Sequence, residues 1–143
     1  MKNKKIALSG GFDPVHVGHV RMISAAAEIG DVIIIANSDK WLQRKKGYIF
    51  MPWSERAEIL SAFRGVTMVV EARDDDDSVC SSIADLKKSI DLDYFGNGGD
   101  RKTDNTPEIA LCDSLGVDLI WNLGGEKIQS SSELVSRQKT YKS

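Results

Sequence analysis

The sequence predicts an α/β fold with a parallel sheet. Short β-branched apolar runs alternate with helical patterns along the whole chain, the signature of strand–helix–strand units with right-handed crossovers. The run Asp31-Val32-Ile33-Ile34-Ile35-Ala36 is continuously apolar rather than alternating, as a strand buried on both faces requires. Helix start and stop residues stand between several of the runs.

Lys5-Ile6-Ala7-Leu8-Ser9 is the first expected strand, running into Gly10-Gly11. A helix is expected from His16 to Ile29, with Val17, Val20, Ile23 and Ala27 at helical spacing and Gly30 as its stop. Asp31 to Ala36 is the second strand. Asn37 to Gly47 reads as a polar, basic connection, and Tyr48 to Pro52 as loop. Ser54 is the expected N-cap of a helix over Glu55 to Phe63. Val66 to Val70 is the third strand. Asp77 or Ser78 is expected to open a helix ending near Ser89, and Leu92 to Phe95 to form a fourth strand. Thr106-Pro107 starts another helix, with Pro at the favoured first position, and Gly116 closes it. Val117 to Trp121 is the fifth strand, and Ser130 to Ser132 cap an expected last helix reaching about Lys139.

At 143 residues the chain has the length of one domain, so residues 1–143 are expected to form a single unit. A hydrophobic fraction of 41% and a charged fraction of 28% fit a globular protein and argue against long-range disorder. A net charge of −2 argues against a broad nucleic-acid surface but allows a local basic pocket. Cys80 and Cys112 form no CxxC pair, so two packed thiols in a reducing compartment are expected. The apolar stretch after the basic Met1–Lys5 segment is too short for a signal peptide, and no segment has the length of a membrane span. A cytoplasmic location without membrane partners is the expectation.

Chemistry concentrates in Gly10-Gly11-Phe12-Asp13-Pro14-Val15-His16-Val17-Gly18-His19. Both histidines of the chain fall here, three apart, so they share one face of the expected helix start. That helix start offers backbone N–H groups and a positive dipole end. Gly10 and Gly11 allow a tight turn and close approach, and Gly18 removes bulk between the imidazoles. Two adjacent imidazoles can hydrogen-bond phosphate oxygens as charge redistributes during phosphoryl or nucleotidyl transfer. Local helix-end hydrogen bonding is the bland alternative. Zinc is a poor one, because Asp13 is the single obvious third ligand.

The segment Gly-Phe-Asp-Pro-Val-His-Val-Gly-His resembles the HxGH signature of the cytidylyltransferase-like nucleotidylyltransferase superfamily. Members include heptose-phosphate adenylyltransferases and glycerol-3-phosphate cytidylyltransferases. The resemblance covers roughly Lys5 to Arg137. It implies a Rossmann-like doubly wound sheet with a five-stranded parallel core. It also implies that His16 and His19 bind the triphosphate and stabilise the pentacoordinate α-phosphate, with Gly10, Gly11, Phe12, Asp13 and Gly18 at the nucleotide.

Further segments align with that expectation. Asn37-Ser38-Asp39 and Arg44-Lys45-Lys46-Gly47 resemble an NSD-like turn and a basic loop that contact substrate phosphates, with Lys46 the preferred catalytic cation. A solvated basic loop is the alternative. Arg56, in Ser54-Glu55-Arg56, is implied as a bidentate phosphate clamp, against a surface ion pair with Glu55 or Glu58. Gly96-Asn97-Gly98-Gly99-Asp100 resembles the Gly-Gly-Asp turn, placing Gly99 and Asp100 at the nucleotide, with a plain Asp-capped turn as the alternative. Ser130, Ser131 and Ser132 resemble the C-terminal Ser/Thr motif at the nucleotide phosphates, or serve simply as caps. Asp74 to Asp77 reads as a solvated acidic loop. Trp41, Tyr48, Trp53 and Trp121 are candidates both for the acceptor pocket and for core packing.

The expected function is transfer of a nucleoside monophosphate from a nucleoside triphosphate to a phosphorylated small-molecule acceptor such as a sugar phosphate. Pyrophosphate is released and Mg²⁺ accompanies the triphosphate. Gly124-Gly125-Glu126-Lys127 stands where glycerol-3-phosphate cytidylyltransferases carry an Arg-Thr-Glu-Gly lead, and this favours ATP over CTP. A cytidylyltransferase acting on a polyol or amino-alcohol phosphate stays open, as does a non-catalytic nucleotide-binding module. A homodimer is compatible with so compact a chain.

Overall fold

The computed structural model describes residues 3–73, 78–98 and 106–125. Strands β1 (Lys5–Gly10), β2 (Asp31–Ala36), β3 (Val66–Glu71), β4 (Tyr94–Gly96) and β5 (Asp118–Ile120) form one sheet in the order β3-β2-β1-β4-β5. Every pairing is parallel. Helices α1 (Val17–Ala27), α2 (Asp39–Lys46), α3 (Trp53–Ser61), α4 (Cys80–Ile90) and α5 (Thr106–Leu115) connect the strands.

Side chains alternate along each strand, and this alternation makes two cores from one sheet. Ile6 and Leu8 of β1, with Val32, Ile34 and Ala36 of β2, pack against Ile23 and Ala26 of α1 and Leu60 of α3. Ala7, Ile33 and Ile35 face the other way, toward Ile83 and Leu86 of α4 and Cys112 of α5. Both faces are therefore covered, which explains the unbroken apolar run in β2. The doubly wound, five-stranded parallel expectation agrees with this architecture.

The strand order fixes where a ligand would sit. From β1 the chain steps outward through β2 to β3, then crosses back to β4 on the other side of β1. The direction of winding reverses between β1 and β4. In open parallel sheets the crevice at the carboxyl ends of two such strands is the binding place. Here those ends carry Gly10-Gly11 and Asn97-Gly98.

Local differences from the sequence reading have local causes. The stretch expected as a basic connection is helix α2, with Ser38 as N-cap accepting from the Trp41 N–H at 3.1 Å and Gly47 as a left-handed C-cap. Helix α1 begins at Val17, with His16 as its N-cap, and its buried residues are Ile23 and Ala26; Val17 and Val20 are exposed. Gly30 stops nothing by handedness. A Cβ there would lie 2.3 Å from the Lys4 carbonyl oxygen, so close strand approach demands the glycine. Helix α3 starts at Trp53 rather than Glu55, and its N-cap is Pro52. Pro52 has no capping side chain, and the Asp39 carboxylate takes the Trp53 N–H at 2.8 Å instead. The expected acidic loop at 74–77 and the expected last helix lie outside the described residues.

Candidate active site

The histidine pair is built by the first turn of α1. The Nδ1 of His16 accepts the Gly18 N–H at 3.0 Å, and the Nδ1 of His19 accepts the His16 N–H at 3.1 Å. Each ring thus satisfies one of the N–H groups that a helix start leaves over. A neutral imidazole that accepts at Nδ1 carries its proton on Nε2. The hydrogen-bond network therefore assigns both rings the same tautomer, with Nε2–H as the donor. Local helix capping and a role toward ligand are compatible, because they use opposite nitrogens.

The two rings stack, with centroids 3.9 Å apart and planes inclined by 27°. Phe12 supports them, its ring centroid 4.8 Å from that of His19. Phe12 is buried and adopts a left-handed backbone, φ 54°, which is uncommon for a bulky residue and turns the chain sharply between β1 and α1. Burial, then the neighbouring His16, then Lys46, lower the His19 pKa from 6.5 to about 3. The imidazole is therefore neutral at physiological pH and acts as a hydrogen-bond donor, not as a charge.

The same effect shows that Lys46 lies near the pair. It ends α2, preceded by Arg44 and Lys45, so three cations cluster in the last turn, where the helix dipole favours them. Gly11 seats α2 against the β1 loop: a Cβ there would meet Leu42 of α2 at 3.2 Å. The structure thus brings Gly10, Gly11, Phe12, His16, Gly18, His19 and Lys46 together at the carboxyl end of β1.

Arg56 takes a position the sequence did not suggest. Its side chain is fully buried, and four of its five N–H donors are engaged by protein acceptors. Its Nε donates to the Met51 carbonyl at 2.9 Å, and one terminal nitrogen to Gly11 O at 2.8 Å and Asn37 O at 2.7 Å. The other pairs with the Asp39 carboxylate at 2.8 Å. The surface ion pair with Glu55 or Glu58 is excluded by that burial, and a guanidinium so occupied presents no bidentate edge to a phosphate. Asp13 is likewise turned inward. Its carboxylate is fully buried and accepts the backbone N–H groups of Phe50 and Met51.

Sequence reasoning passed over the 50–51 backbone as site-forming groups and read Asp39 as part of a phosphate-contacting turn, whereas its carboxylate accepts from Arg56 and the Trp53 N–H. Asp39 stood in the Asn37-Ser38-Asp39 turn; the backbone groups leave no signal in residue identity. Trp53 belongs to the fold: its Nε1 donates to Ala36 O at 3.2 Å and its ring packs against the α1–α3 core. Gly99, Asp100, Ser130, Ser131 and Ser132 lie outside the described residues. Gly98 and Gly124 before them approach α1, where added Cβ atoms would meet Met22 Sδ at 3.3 Å and Met22 N at 2.8 Å. The chain after β4 and after β5 therefore passes beside the histidine helix.

A doubly wound parallel sheet, a switch point beside β1 and a paired-imidazole helix start define an α/β protein with a candidate ligand site at the carboxyl end of β1. A family model of cytidylyltransferase-like proteins matches residues 7–137, and the chain belongs to that family. It is 33% identical over 102 residues to the FAD synthase of Pyrococcus horikoshii, covering 70% of this chain and 66% of that protein. It is 32% identical over 140 residues to the bifunctional protein HldE of Gluconobacter oxydans, covering 96% of this chain and 26% of that protein. The chain thus spans about a quarter of the length of that bifunctional relative. A solved lipopolysaccharide core biosynthesis protein from Thermoplasma volcanium shares the fold, with a TM-score of 0.67 at 19% identity, covering 89% of this chain and 99% of that one.

Proposed function

We propose that this chain transfers a nucleoside monophosphate, AMP in preference to CMP, from a nucleoside triphosphate to a phosphorylated small molecule such as a sugar phosphate. The observation that carries the reading is the stacked pair of imidazoles, each held at Nδ1 and protonated at Nε2. An oxygen of the acceptor phosphate attacks the α-phosphorus. The bond from that phosphorus to the bridging oxygen breaks, and pyrophosphate leaves with the electron pair. His16 and His19 donate hydrogen bonds to the oxygens on which charge redistributes, and Lys46 offsets the repulsion between two polyanions. Nothing in this scheme requires a covalent nucleophile. The preference for AMP draws support from the FAD synthase relative, whose named product contains an adenylyl group.

Mg²⁺ belongs to the proposal as the companion of the triphosphate. Among the described residues no three His, Cys, Asp or Glu side chains cluster as a cation cage, and the Asp13 carboxylate is taken by backbone N–H groups. The described residues thus do not by themselves form a site for the ion. No helix among the described residues is long and apolar enough to cross a membrane. A cytoplasmic homodimer remains the proposed setting, and light scattering of the purified chain tests the dimer.

The test is pyrophosphate release with ATP and CTP against sugar phosphates, polyol phosphates and flavin mononucleotide. Release that depends on both substrates is expected. His16→Ala and His19→Ala are each expected to lower kcat by about 10²–10³-fold, as loss of one transition-state donor does. Removing the Nδ1 cap costs about 0.5–2 kcal/mol of stability, so both variants should stay folded by circular dichroism. Tight triphosphate binding without release under every acceptor would replace the enzyme by a nucleotide-binding module.

A further inference from the structure

We propose that Arg56 is a positioning residue for this transfer: it locks the loop that leads to the histidine pair to the helix that carries Lys46, without touching substrate. The inference rests on the proposed reaction and assigns Arg56 a task other than phosphate binding.

The contacts form a closed circuit. The Arg56 guanidinium holds the Gly11 carbonyl at 2.8 Å, and residues 50 and 51 hold the Asp13 carboxylate through their N–H groups. The Met51 carbonyl returns to Arg56 Nε at 2.9 Å. The segment 11–13 is therefore gripped on both sides of Phe12. Phe12 is the residue with the left-handed backbone, and its ring packs on His19. Release of either grip lets Phe12 relax toward an ordinary backbone conformation, and the His19 ring loses its support. The terminal nitrogen that holds the Gly11 carbonyl also holds the Asn37 carbonyl, and the other pairs with the Asp39 carboxylate, so the guanidinium fixes the start of α2, whose last residue is Lys46. One buried cation thus sets the spacing between the two elements that would meet the triphosphate.

Burying a guanidinium is costly, and a single carboxylate offsets its charge. A residue needed only for folding could be replaced by an apolar side chain. A fork that reaches three carbonyls from three separate segments has geometric content that Lys, a single point charge, cannot reproduce.

Arg56→Lys decides the matter with two readouts. Steady-state kinetics should show kcat lowered about 100-fold, as expected for misplacement of reacting groups by about 1 Å, with ATP and CTP dissociation constants changed less than about threefold. Nitrogen NMR of the histidine rings should show the His19 titration midpoint moving up toward 6.5 as the ring loses its burial beside Phe12, His16 and Lys46. A folded Arg56→Lys variant with an unmoved His19 midpoint overturns the proposal. So does a tenfold loss of triphosphate affinity at constant kcat, which would mark a phosphate clamp. If Arg56→Lys does not fold, Asp13→Asn cuts the same circuit while keeping one acceptor, and the same pair of changes is required. If the wild type transfers no nucleotide to any acceptor, the functional reading fails, and the His19 midpoint alone still decides the linkage.

Discussion

His19 sits three residues beyond its partner on a helix start, under a pressure that most histidines escape. Its imidazole is enclosed and flanked by His16 and Lys46, and its pKa falls to about 3 from an ordinary 6.5. The sign of the consequence follows from proton counting. Between those two values the unfolded chain binds a proton at this position and the folded chain does not. Stability from His19 is complete above pH 6.5 and is lost as the pH falls below it, by no more than about 1.4 kcal/mol per unit. Urea melts at pH 6.5 and pH 5.0 should therefore show a larger loss for wild type than for His19→Asn. Equal losses would place the ring in water. Because the ring stays neutral over this range, the turnover profile between pH 6 and 8 should show no inflection from His19.

Elements in this fold begin and end for different physical reasons, and glycine separates them. Gly47 has φ +79° with nothing within 4 Å of an added Cβ, so handedness alone selects it. Gly30 is limited by the Lys4 carbonyl. Gly47→Ala should cost about 1–2 kcal/mol, and Gly47→Asn should recover much of that, because Asn tolerates the left-handed region. Gly30→Ala should cost about 1–3 kcal/mol through overpacking, and Gly30→Asn should recover nothing. Denaturant melts of the four variants check the contrast. The same distinction explains what was legible beforehand. The strands could be read because β2 is buried on both faces and needs an unbroken apolar run. Helix α2 escaped because it buries only Leu42, so no apolar period marks it; its caps Ser38 and Gly47 were the available sign. The histidine pair was readable as spacing. The Arg56 circuit was not, since three of its acceptors are backbone carbonyls 5, 19 and 45 positions away.

Across the whole molecule, one sheet carries two cores. Ile33 and Ile34 are neighbours in sequence yet belong to opposite faces, so neither core can loosen without disturbing strands the other needs. Folding should be all-or-none for a domain of this size. Ile83→Ala, on the α4–α5 face, should cost about 2–5 kcal/mol. Tryptophan fluorescence, to which Trp53 on the opposite face contributes, should shift its midpoint together with far-UV circular dichroism. Separate midpoints would mean that the two layers melt independently. The sheet order places the same demand on function: the crevice beside β1 draws on loops after β1 and β4, which lie on opposite sides of the reversal in winding.

Three of the four groups that receive the Arg56 fork are carbonyl oxygens, which every amino acid supplies alike. The exposed side chains of Ile49 and Phe50 can therefore be varied while the scaffold beneath them holds its shape. Met51 offers the anchor only its backbone, and its side chain is not among the guanidinium's contacts. The frame is thereby written in backbone atoms of this segment and asks little of the exposed side chains of Ile49 and Phe50. A library confined to Ile49 and Phe50 should leave that frame unchanged, as thermal melts of its members would show.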